Sequence, residues 1–501
     1  MIITLRNQTF MATPENEREK QVIQMACSSL ITYKPVTVGF GKQKKRTYEV
    51  KDRYTLTTSD GSTIFLDSFF IAFSTTVFSN GIKRDDIKFV EEAKESFEKI
   101  ELKSRHKHTA DSQQLQYIEA LTHKEDGRYL VDLYTGGGKT FLTLEALAVL
   151  SRRVLIVVKA TYINKWIGDI KEYLHLEDED ILVLDGTDGV NQYMNNPTKH
   201  KFVLMSTTIS SMWISDYEVL PSMSMSKFDY PPMELMKRGD IGIMLNDETH
   251  QHFHAVFKAI LAYDPKKVIA LSATLLTKDK KLASIHKLLF PKDNWLSFAN
   301  YTPYIKARIV NYDLGGHIDE KRFKNAFGYS QKSFELMILG NPRLKKYVFN
   351  MIYSDIKEHY LSRRLEGDKA LVFFDRVMMC AAFTEFLLEK RIPECDIRKY
   401  TGEDPYENLH GPDIIVSNLQ SSGTAEDIKG LISVFNFVAR DSITDNVQAA
   451  GRLRDKNERD KIYTQYYSNR ITAHRRYKKE FYKIFEGRFV EVVEVNIPPA
   501  Q

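Results

Sequence analysis

Three consecutive glycines followed by a lysine and a threonine form the strongest chemical signal in this sequence. The segment follows an apolar run and precedes a helical pattern. Glycines let backbone N–H groups close around phosphate oxygens, and a helix N-terminus behind them favours negative charge. Lys139 would reach the β- and γ-phosphates of a nucleotide, and the Thr140 hydroxyl would be a ligand of Mg²⁺. The predicted ATP-binding residues are Thr135, Gly136, Gly137, Gly138, Lys139 and Thr140.

Two acidic residues follow another apolar run, in the segment Asp247-Glu248-Thr249-His250. A carboxylate at the carboxyl end of a parallel strand lies where ligands bind in open α/β sheets. Asp247 is expected to hold Mg²⁺, usually through water, because this ion gives up its hydration shell reluctantly. Glu248 is expected to orient and deprotonate the attacking water, which makes it the candidate catalytic base. His250 would link the nucleotide site to a second lobe.

Two later segments complete this set of candidate residues. Ser272 and Thr274 follow the next apolar run, and their hydroxyls could hydrogen-bond to the acidic segment and report the nucleotide state. Gln448 opens Gln-Ala-Ala-Gly-Arg-Leu-Arg, which we expect on a helix. A permanently charged guanidinium stabilises charge on a transferring phosphoryl group, so Arg452 and Arg454 are candidate arginine fingers. Such a finger would mean that ATP lies between two lobes.

Short apolar runs alternate with helical stretches over most of the chain, which predicts the elements that carry these residues. Near-continuous apolar runs are required in strands that are buried on both faces, and their alternation with helices is typical of a parallel sheet with crossover helices. The runs of the first lobe are Tyr129–Tyr134, Val154–Val158, Ile181–Leu184, Phe202–Met205, Ile241–Leu245 and Val268–Leu271. Those of the second lobe are Ala307–Tyr312, Leu371–Phe374, Ile397–Tyr400, Ile414–Val416, Leu431–Val434 and Ile462–Tyr466.

The predicted fold class is α/β, with two parallel-sheet lobes in tandem after a small α+β N-terminal domain. The domain boundaries are 1–108, 109–305 and 306–501, and the last domain ends in a basic helix. In the N-terminal domain we expect a helix over Glu15–Leu30 and a charged helix over Asp85–Leu102. Two β-rich stretches, Thr47–Thr58 and Ser62–Ser74, predict a hairpin that turns at Ser59-Asp60-Gly61.

The positive charge of the chain is concentrated near its start. The net formal charge is +5, and residues 1–108 hold 18 lysines and arginines against 14 aspartates and glutamates. Lys42 lies close to Lys44, Lys45 and Arg46, and such a cluster suits a phosphate backbone. A solvated surface turn is the alternative interpretation of this cluster.

The amino-acid composition is that of a globular protein without membrane spans. Hydrophobic residues make up 43% and charged residues 27% of the chain, which is a globular balance. No run of about 18 apolar residues is present, so no membrane span is expected. The three cysteines, Cys27, Cys380 and Cys395, are far apart and lack the spacing of metal ligands. We therefore expect a cytoplasmic protein without a disulfide framework or a zinc site, in the host cytoplasm if a phage encodes it.

In order along the chain, the Gly-Gly-Gly-Lys-Thr, Asp-Glu-Thr-His, Ser-Ala-Thr and Gln-x-x-Gly-Arg segments resemble the motifs of superfamily-2 helicases. The resemblance covers residues 109–490, about three quarters of the chain. It implies two RecA-like lobes, ATP and Mg²⁺ as cofactors, and nucleic acid as the partner. The layout is most similar to that of the compact phage helicases of the UvsW type, which remodel branched DNA.

The resemblance implies further contact residues. Lys159 looks like part of the first DNA-contact motif, although a proline is common at its place. Thr207 and Thr208 are similar to the next such motif, with hydroxyls suited to phosphates. Arg376 resembles the first strand motif of the second lobe. Gly423 belongs to a segment similar to the motif that contacts both backbone and nucleotide, although the spacing after it is stretched.

A glutamine that reads adenine is implied ahead of the glycine-rich segment. Gln113, Gln114 and Gln116 compete for this role. Gln114 fits best because it shares a helix face with Tyr117 and Leu121.

Several alternatives stay open. The family often places its second arginine three residues after the first, but here Asp455 stands at that place, so Arg452 is a safer finger than Arg454. The leading hypothesis is a DNA-dependent ATPase that translocates on duplex or branched DNA and is a monomer when it is not bound to DNA. An RNA helicase is the second hypothesis, because backbone-tracking residues are similar for both nucleic acids. A nucleic-acid-binding protein with a regulatory ATP site is the third.

Overall fold

The computed structural model describes residues 1–38, 45–92, 96–133, 137–219, 225–272, 279–297, 303–316, 319–325, 328–402, 404–419, 421, 428–454 and 459–499. They divide into two compact units, one of the described residues up to 297 and one of those from 303 onwards. No helix among the described residues is long and apolar enough to cross a bilayer.

The first unit begins with a small α+β region. Five strands form a mixed sheet in the order β5-β6-β2-β1-β7, and β3 and β4 pair only with each other as a two-stranded ribbon. The elements are β1 (Ile2–Leu5), β2 (Thr9–Thr13), α1 (Glu17–Ser28), β3 (Ile31–Val38), β4 (Lys45–Arg53), β5 (Leu56–Thr57), β6 (Thr63–Leu66), α2 (Phe70–Ser79) and β7 (Lys88–Glu91).

The predicted helix near the start is confirmed as α1, and the turn at 59–61 is confirmed between β5 and β6. Three other predictions in this region are wrong. The stretch 47–58 is divided between β4 and β5, and 62–74 is divided between β6 and α2, whose buried Phe73 and Val77 show helical spacing. The predicted helix over 85–102 is replaced in part by β7, since parallel pairing with β1 outweighs helix propensity.

A seven-stranded sheet forms the rest of the first unit, in the order β10-β11-β9-β12-β13-β8-β14. All its pairings are parallel. The elements are α3 (Ser112–Thr122), β8 (Gly127–Asp132), α4 (Lys139–Leu150), β9 (Arg153–Val158), α5 (Ile163–Tyr173), β10 (Ile181–Leu184), α6 (Gly186–Asn195), β11 (Phe202–Ser206), α7 (Thr207–Val219), α8 (Leu235–Arg238), β12 (Ile241–Asn246), α9 (Phe253–Tyr263), β13 (Lys267–Ser272), α10 (Lys280–Leu289) and β14 (Trp295–Leu296).

The second unit carries another seven-stranded parallel sheet, in the order β19-β20-β18-β21-β22-β15-β23. The elements are β15 (Ile305–Tyr312), β16 (Lys324–Asn325), β17 (Gly328–Tyr329), α11 (Gln331–Leu339), α12 (Pro342–Ile356), β18 (Lys369–Phe374), α13 (Val377–Glu389), β19 (Ile397–Tyr400), α14 (Glu407–His410), β20 (Ile414–Asn418), β21 (Leu431–Asn436), α15 (Ile443–Ala450), β22 (Lys461–Ser468), α16 (Thr472–Ile484) and β23 (Glu491–Ile497).

The predicted fold class is confirmed: two RecA-like parallel sheets follow a small α+β region. Every residue of β9, β11, β12 and β13 is buried, which explains why these strands were visible as continuous apolar runs. The short β14 and the outer β23 were not predicted. β23 is largely exposed and alternates valine with charged residues, so its sequence lacks the apolar run that marks the central strands.

Candidate functional site

The glycine-rich segment lies between β8 and α4, and Gly138 caps α4 with its backbone in the left-handed region, at φ +82°. This backbone conformation favours glycine, and a Cβ atom here would stand 2.6 Å from Nε2 of Gln114, so the glutamine side chain would have to move. Gln114 also donates from Nε2 to the carbonyl oxygen of Gly137 at 3.3 Å. The structure therefore brings one of the three candidate glutamines against the glycine-rich segment. Its role in reading adenine stays a prediction.

Lys139 is half-buried at the start of α4, and Nζ donates to the carbonyl oxygen of Leu133 at 2.9 Å. Burial lowers the pKa of the Lys139 ammonium. The nearby carboxylates of Glu248, Asp247 and Asp132 oppose this shift. The amine and these carboxylates thus share the carboxyl-terminal edge of the sheet, where a triphosphate and its metal ion could be neutralised.

Asp247 follows β12 directly and is only 8% exposed. One carboxylate oxygen, Oδ1, accepts from the backbone N–H of Glu248 at 2.8 Å. The other, Oδ2, accepts from the indole Nε1 of Trp166 on α5 at 3.2 Å. Trp166 is fully buried, so it cannot stack on a nucleobase and instead fixes the orientation of the carboxylate. Sequence reasoning missed this role, because no spacing rule relates residues 166 and 247.

Glu248 has its backbone in the left-handed region, at φ +49°, which is uncommon for a residue with a Cβ atom. Its Oε2 atom lies 3.4 Å from Nδ1 of His250, and the same ring nitrogen lies 3.0 Å from the hydroxyl of Ser272. The backbone N–H of Thr249 donates to the carbonyl oxygen of Leu271 at 3.0 Å. The structure therefore ties the acidic segment to the end of β13 by both backbone and side chain.

The donor set fits Mg²⁺ that arrives with a nucleotide. The described residues contain no cluster of three or more histidine, cysteine or acidic side chains that would hold a metal ion alone. Mg²⁺ is usually bound through one or two carboxylates, with water and substrate phosphates completing its shell. Asp247 and the half-buried Thr140 supply oxygen atoms of this kind. The chemistry of these side chains is therefore that of a shared metal–phosphate site.

The other predicted residues of the first unit follow strands of the same sheet. Lys159 is half-buried directly after β9. Thr207 is buried and Thr208 is exposed at the start of α7, directly after β11. Since β9 and β11 are parallel neighbours, these residues lie at one sheet edge. Their contact with nucleic acid stays a prediction.

In the second unit, Gln448 lies on α15, but the helix predicted through residue 454 ends at Ala450. The backbone N–H of Gly451 donates to Val447, and a turn follows that buries Leu453 completely. Gly451 is the C-cap of the helix, and the low helix propensity of glycine favours an end at this position. The two candidate fingers therefore lie in a turn, with Arg452 buried and Arg454 half-buried.

Arg376 precedes α13, and its backbone N–H donates to Oε2 of Glu335 on α11 at 2.8 Å. Oε1 of the same carboxylate accepts from the backbone N–H of Asp375 at 2.9 Å. Burial raises the pKa of Glu335 to about 7. The Asp375 carboxylate pairs with Arg440, which also pairs with Asp445 on α15 at 2.8 Å. This network links the Arg376 backbone to the helix that carries Gln448.

Some predicted site residues lie outside the described residues, and for two others only the backbone is described. Lys45 and Arg46 are of the second kind, at the start of β4. Those outside the described residues are Lys44, Thr135, Gly136, Thr274 and Gly423.

Comparison with known proteins adds a domain match and two fold similarities. Residues 87–277 match the family model described as type III restriction enzyme, res subunit. No curated protein matches the chain. The Hef helicase domain of Pyrococcus furiosus is 13% identical, with a TM-score of 0.45, over 73% of this chain and 97% of that one. Dbp5 of S. cerevisiae, solved bound to RNA and ADP BeF3, is 11% identical, with a TM-score of 0.48, over 77% and 90%.

The res-subunit match contains Gln114, the glycine-rich segment and the acidic segment of the first unit. Together with the tandem parallel sheets, it makes the chain similar to superfamily-2 helicases, which use ATP on nucleic acid. The more specific resemblance to phage enzymes of the UvsW type stays a prediction.

Proposed function

We propose that the protein is an ATP-dependent DNA helicase or translocase of superfamily 2, of the compact phage UvsW type. On this proposal it remodels branched DNA during replication, recombination or repair, by branch migration or by processing forks and R-loops. One observation carries the proposal. Lys139, Asp247 and Glu248 follow the ends of β8 and β12 at the carboxyl-terminal edge of one parallel sheet, where ligands bind in open α/β sheets.

The chemistry assigned to these residues is hydrolysis of the γ-phosphate. Lys139 binds the β- and γ-phosphates, and Asp247 with Thr140 holds Mg²⁺, which neutralises charge on the phosphates when it is bound. Glu248 takes a proton from the attacking water, and Arg452 or Arg454 stabilises charge on the transferring group.

Nucleotide state is passed on through short contacts. His250, between the Glu248 carboxylate and the Ser272 hydroxyl, changes partners when the base gains or loses its proton. On the proposed assignment, Gln448 and Thr274 take part in the same coupling. Gly423 contacts the nucleotide.

DNA is held through its backbone, so little sequence specificity and a strong salt dependence are expected. The proposed protein is cytoplasmic and monomeric when it is not bound to DNA, with an accessory domain over 1–108 and lobes over 109–305 and 306–501. The residues assigned to nucleic-acid contact are Lys44, Lys45, Arg46, Lys159, Thr207, Thr208 and Arg376.

The first prediction concerns the substrate. ATP turnover of the full chain should rise most with forked and four-way DNA, less with duplex and single-stranded DNA, and least with RNA. A coupled steady-state assay over this panel measures the stimulation, and Lys139→Ala provides the inactive control. A larger stimulation by RNA than by any DNA would assign the RNA helicase function instead, and no stimulation by any nucleic acid would reject the motor.

A further inference from the structure

The two-stranded ribbon of β3 and β4 presents an aromatic face to solvent. Antiparallel pairing sets Tyr33 opposite Val50 and Pro35 opposite Tyr48, so these side chains lie on one face. Tyr33, Tyr48 and Val50 are 49%, 65% and 41% exposed. Large apolar groups gathered on an exposed face mark interaction sites rather than ordinary surface.

The opposite face of the same ribbon carries a solvated ion pair. Lys34 and Glu49 are paired across the strands there, with Nζ and Oε2 separated by 3.9 Å and both side chains more than half exposed. Ion pairs of this kind are solvated and contribute little to stability. The aromatic residues therefore lie on the face of the ribbon opposite to this ion pair.

The charge around the aromatic face selects its partner. The described residues of the ribbon, 31–38 and 45–54, include five lysines and arginines against two acidic residues, a net +3. The ammonium of Lys281 on α10 also lies 5.9 Å from the centre of the Tyr33 ring. Tyrosine rings with cations beside them fit stacked nucleobases joined by phosphates. An apolar protein surface would not need the excess of positive charge.

The base of the ribbon is anchored to a helix that follows the nucleotide site. Tyr54 is buried against α9, with its ring 5.0 Å from that of Phe257 and 5.3 Å from that of His254. Nε2 of His254 lies 3.0 Å from the carbonyl oxygen of Arg53. α9 begins only five residues after Glu248, so the helix that anchors the ribbon lies close in sequence to the acidic segment.

We propose that the exposed Tyr33–Tyr48 face of the β3–β4 ribbon is a stacking surface for the unpaired bases of single-stranded nucleic acid. This inference rests on the proposed function and adds to it. Backbone contacts alone cannot distinguish a separated strand from a duplex, whereas a base can stack on a ring only after it has left its pair. The ribbon would therefore give the protein a preference for junctions with unpaired bases.

The test measures dissociation constants of the full chain without nucleotide, for labelled oligothymidylate of about 20 nucleotides and for a duplex of the same length. Tyr33→Ala/Tyr48→Ala should weaken single-strand binding by about 10-fold or more, because stacking on each ring is lost. Duplex binding should stay within about twofold, and the salt dependence should keep its slope because no cation is removed.

Two control variants separate stacking from other causes. Tyr33→Phe/Tyr48→Phe should bind the single strand as the natural chain does, because stacking does not need the hydroxyl. Tyr406→Ala removes a similarly exposed tyrosine from the second unit and should change nothing. All variants alter exposed side chains, and circular dichroism verifies their fold.

Three outcomes overturn the stacking surface. Unchanged single-strand binding in the alanine variant would reject it. An equal loss for single strand and duplex would assign the ribbon to general nucleic-acid contact. Self-association that the alanine variant abolishes, seen by sedimentation, would assign the face to a second copy. Failure of the natural chain to bind either oligonucleotide would reject the proposed function itself, so the two failures are distinguishable.

Discussion

At the residue scale, the acidic segment shows how a carboxylate is held ready for a metal ion. One carboxylate oxygen of Asp247 accepts a hydrogen bond from the backbone N–H of Glu248, and the other accepts one from the indole of Trp166. Each oxygen keeps a further lone pair. Hydrogen bonds to a buried charged group contribute more than neutral ones. On the proposed assignment of Asp247 to Mg²⁺, Trp166 is therefore a positioning residue that acts from within the core.

The second prediction tests this positioning. Trp166→Phe should keep the fold but raise the Mg²⁺ concentration needed for half-maximal ATP turnover by about 10-fold, the effect of losing one hydrogen bond to a charged group. Trp213→Phe is the matched control, since Trp213 is equally buried and its Nε1 donates to the carbonyl oxygen of Tyr230 at 2.8 Å. An unchanged Mg²⁺ dependence in Trp166→Phe, or an equal shift in both variants, would contradict the positioning role.

At the scale of elements, the sequence predicted strands best where both faces are buried. The fully buried strands β11 and β12 were predicted to within one residue of their observed bounds, because a parallel strand between helices leaves a continuous apolar run. Strand prediction failed for β7 and β23, which are largely exposed and are strands because they pair with a neighbouring strand. Contacts between helices and strands could also not be predicted from the sequence. Glu335 could have been suspected only from its spacing with Gln331 on the buried side of α11.

The third prediction concerns the buried carboxyl of Glu335. Its pKa is about 7 in the folded chain, above the ordinary value of 4.5, so between these pH values the folded state holds a proton that the unfolded state lacks. Stability should therefore be highest below pH 4.5 for this group and fall as pH rises towards 7, by on the order of 3 kcal/mol. Glu335→Gln cannot titrate and should lose this part of the pH dependence.

Urea unfolding of the full chain at pH 5 and pH 8 measures the effect for the second unit. Glu385→Gln, at an exposed position on α13, is the control and should keep the pH dependence of the natural chain. An identical pH dependence in Glu335→Gln and the natural chain would show that Glu335 does not carry the proton.

At the scale of the whole molecule, the alternation of apolar runs with helical stretches was enough to predict two parallel-sheet units. Local patterns explain this success, because central strands buried on both faces leave continuous apolar runs in the sequence. They could not reveal the aromatic face of the ribbon, since cross-strand pairing of β3 with β4 was not predicted. Net charge alone could not reveal this face either, because the pairing of residues 31–38 with residues 45–53 is visible only in the structure.

The central claim is that nucleic acid drives ATP hydrolysis at the site of Lys139 and Glu248. The most direct test compares Glu248→Gln with the natural chain for ATP binding and for ATP turnover on forked DNA. Glu119→Gln, at an exposed position on α3, is the control and should behave as the natural chain does. Glu248→Gln should bind ATP with unchanged affinity while its turnover falls about 10²- to 10⁴-fold, the usual contribution of a general base. Undiminished turnover in this variant would contradict the account.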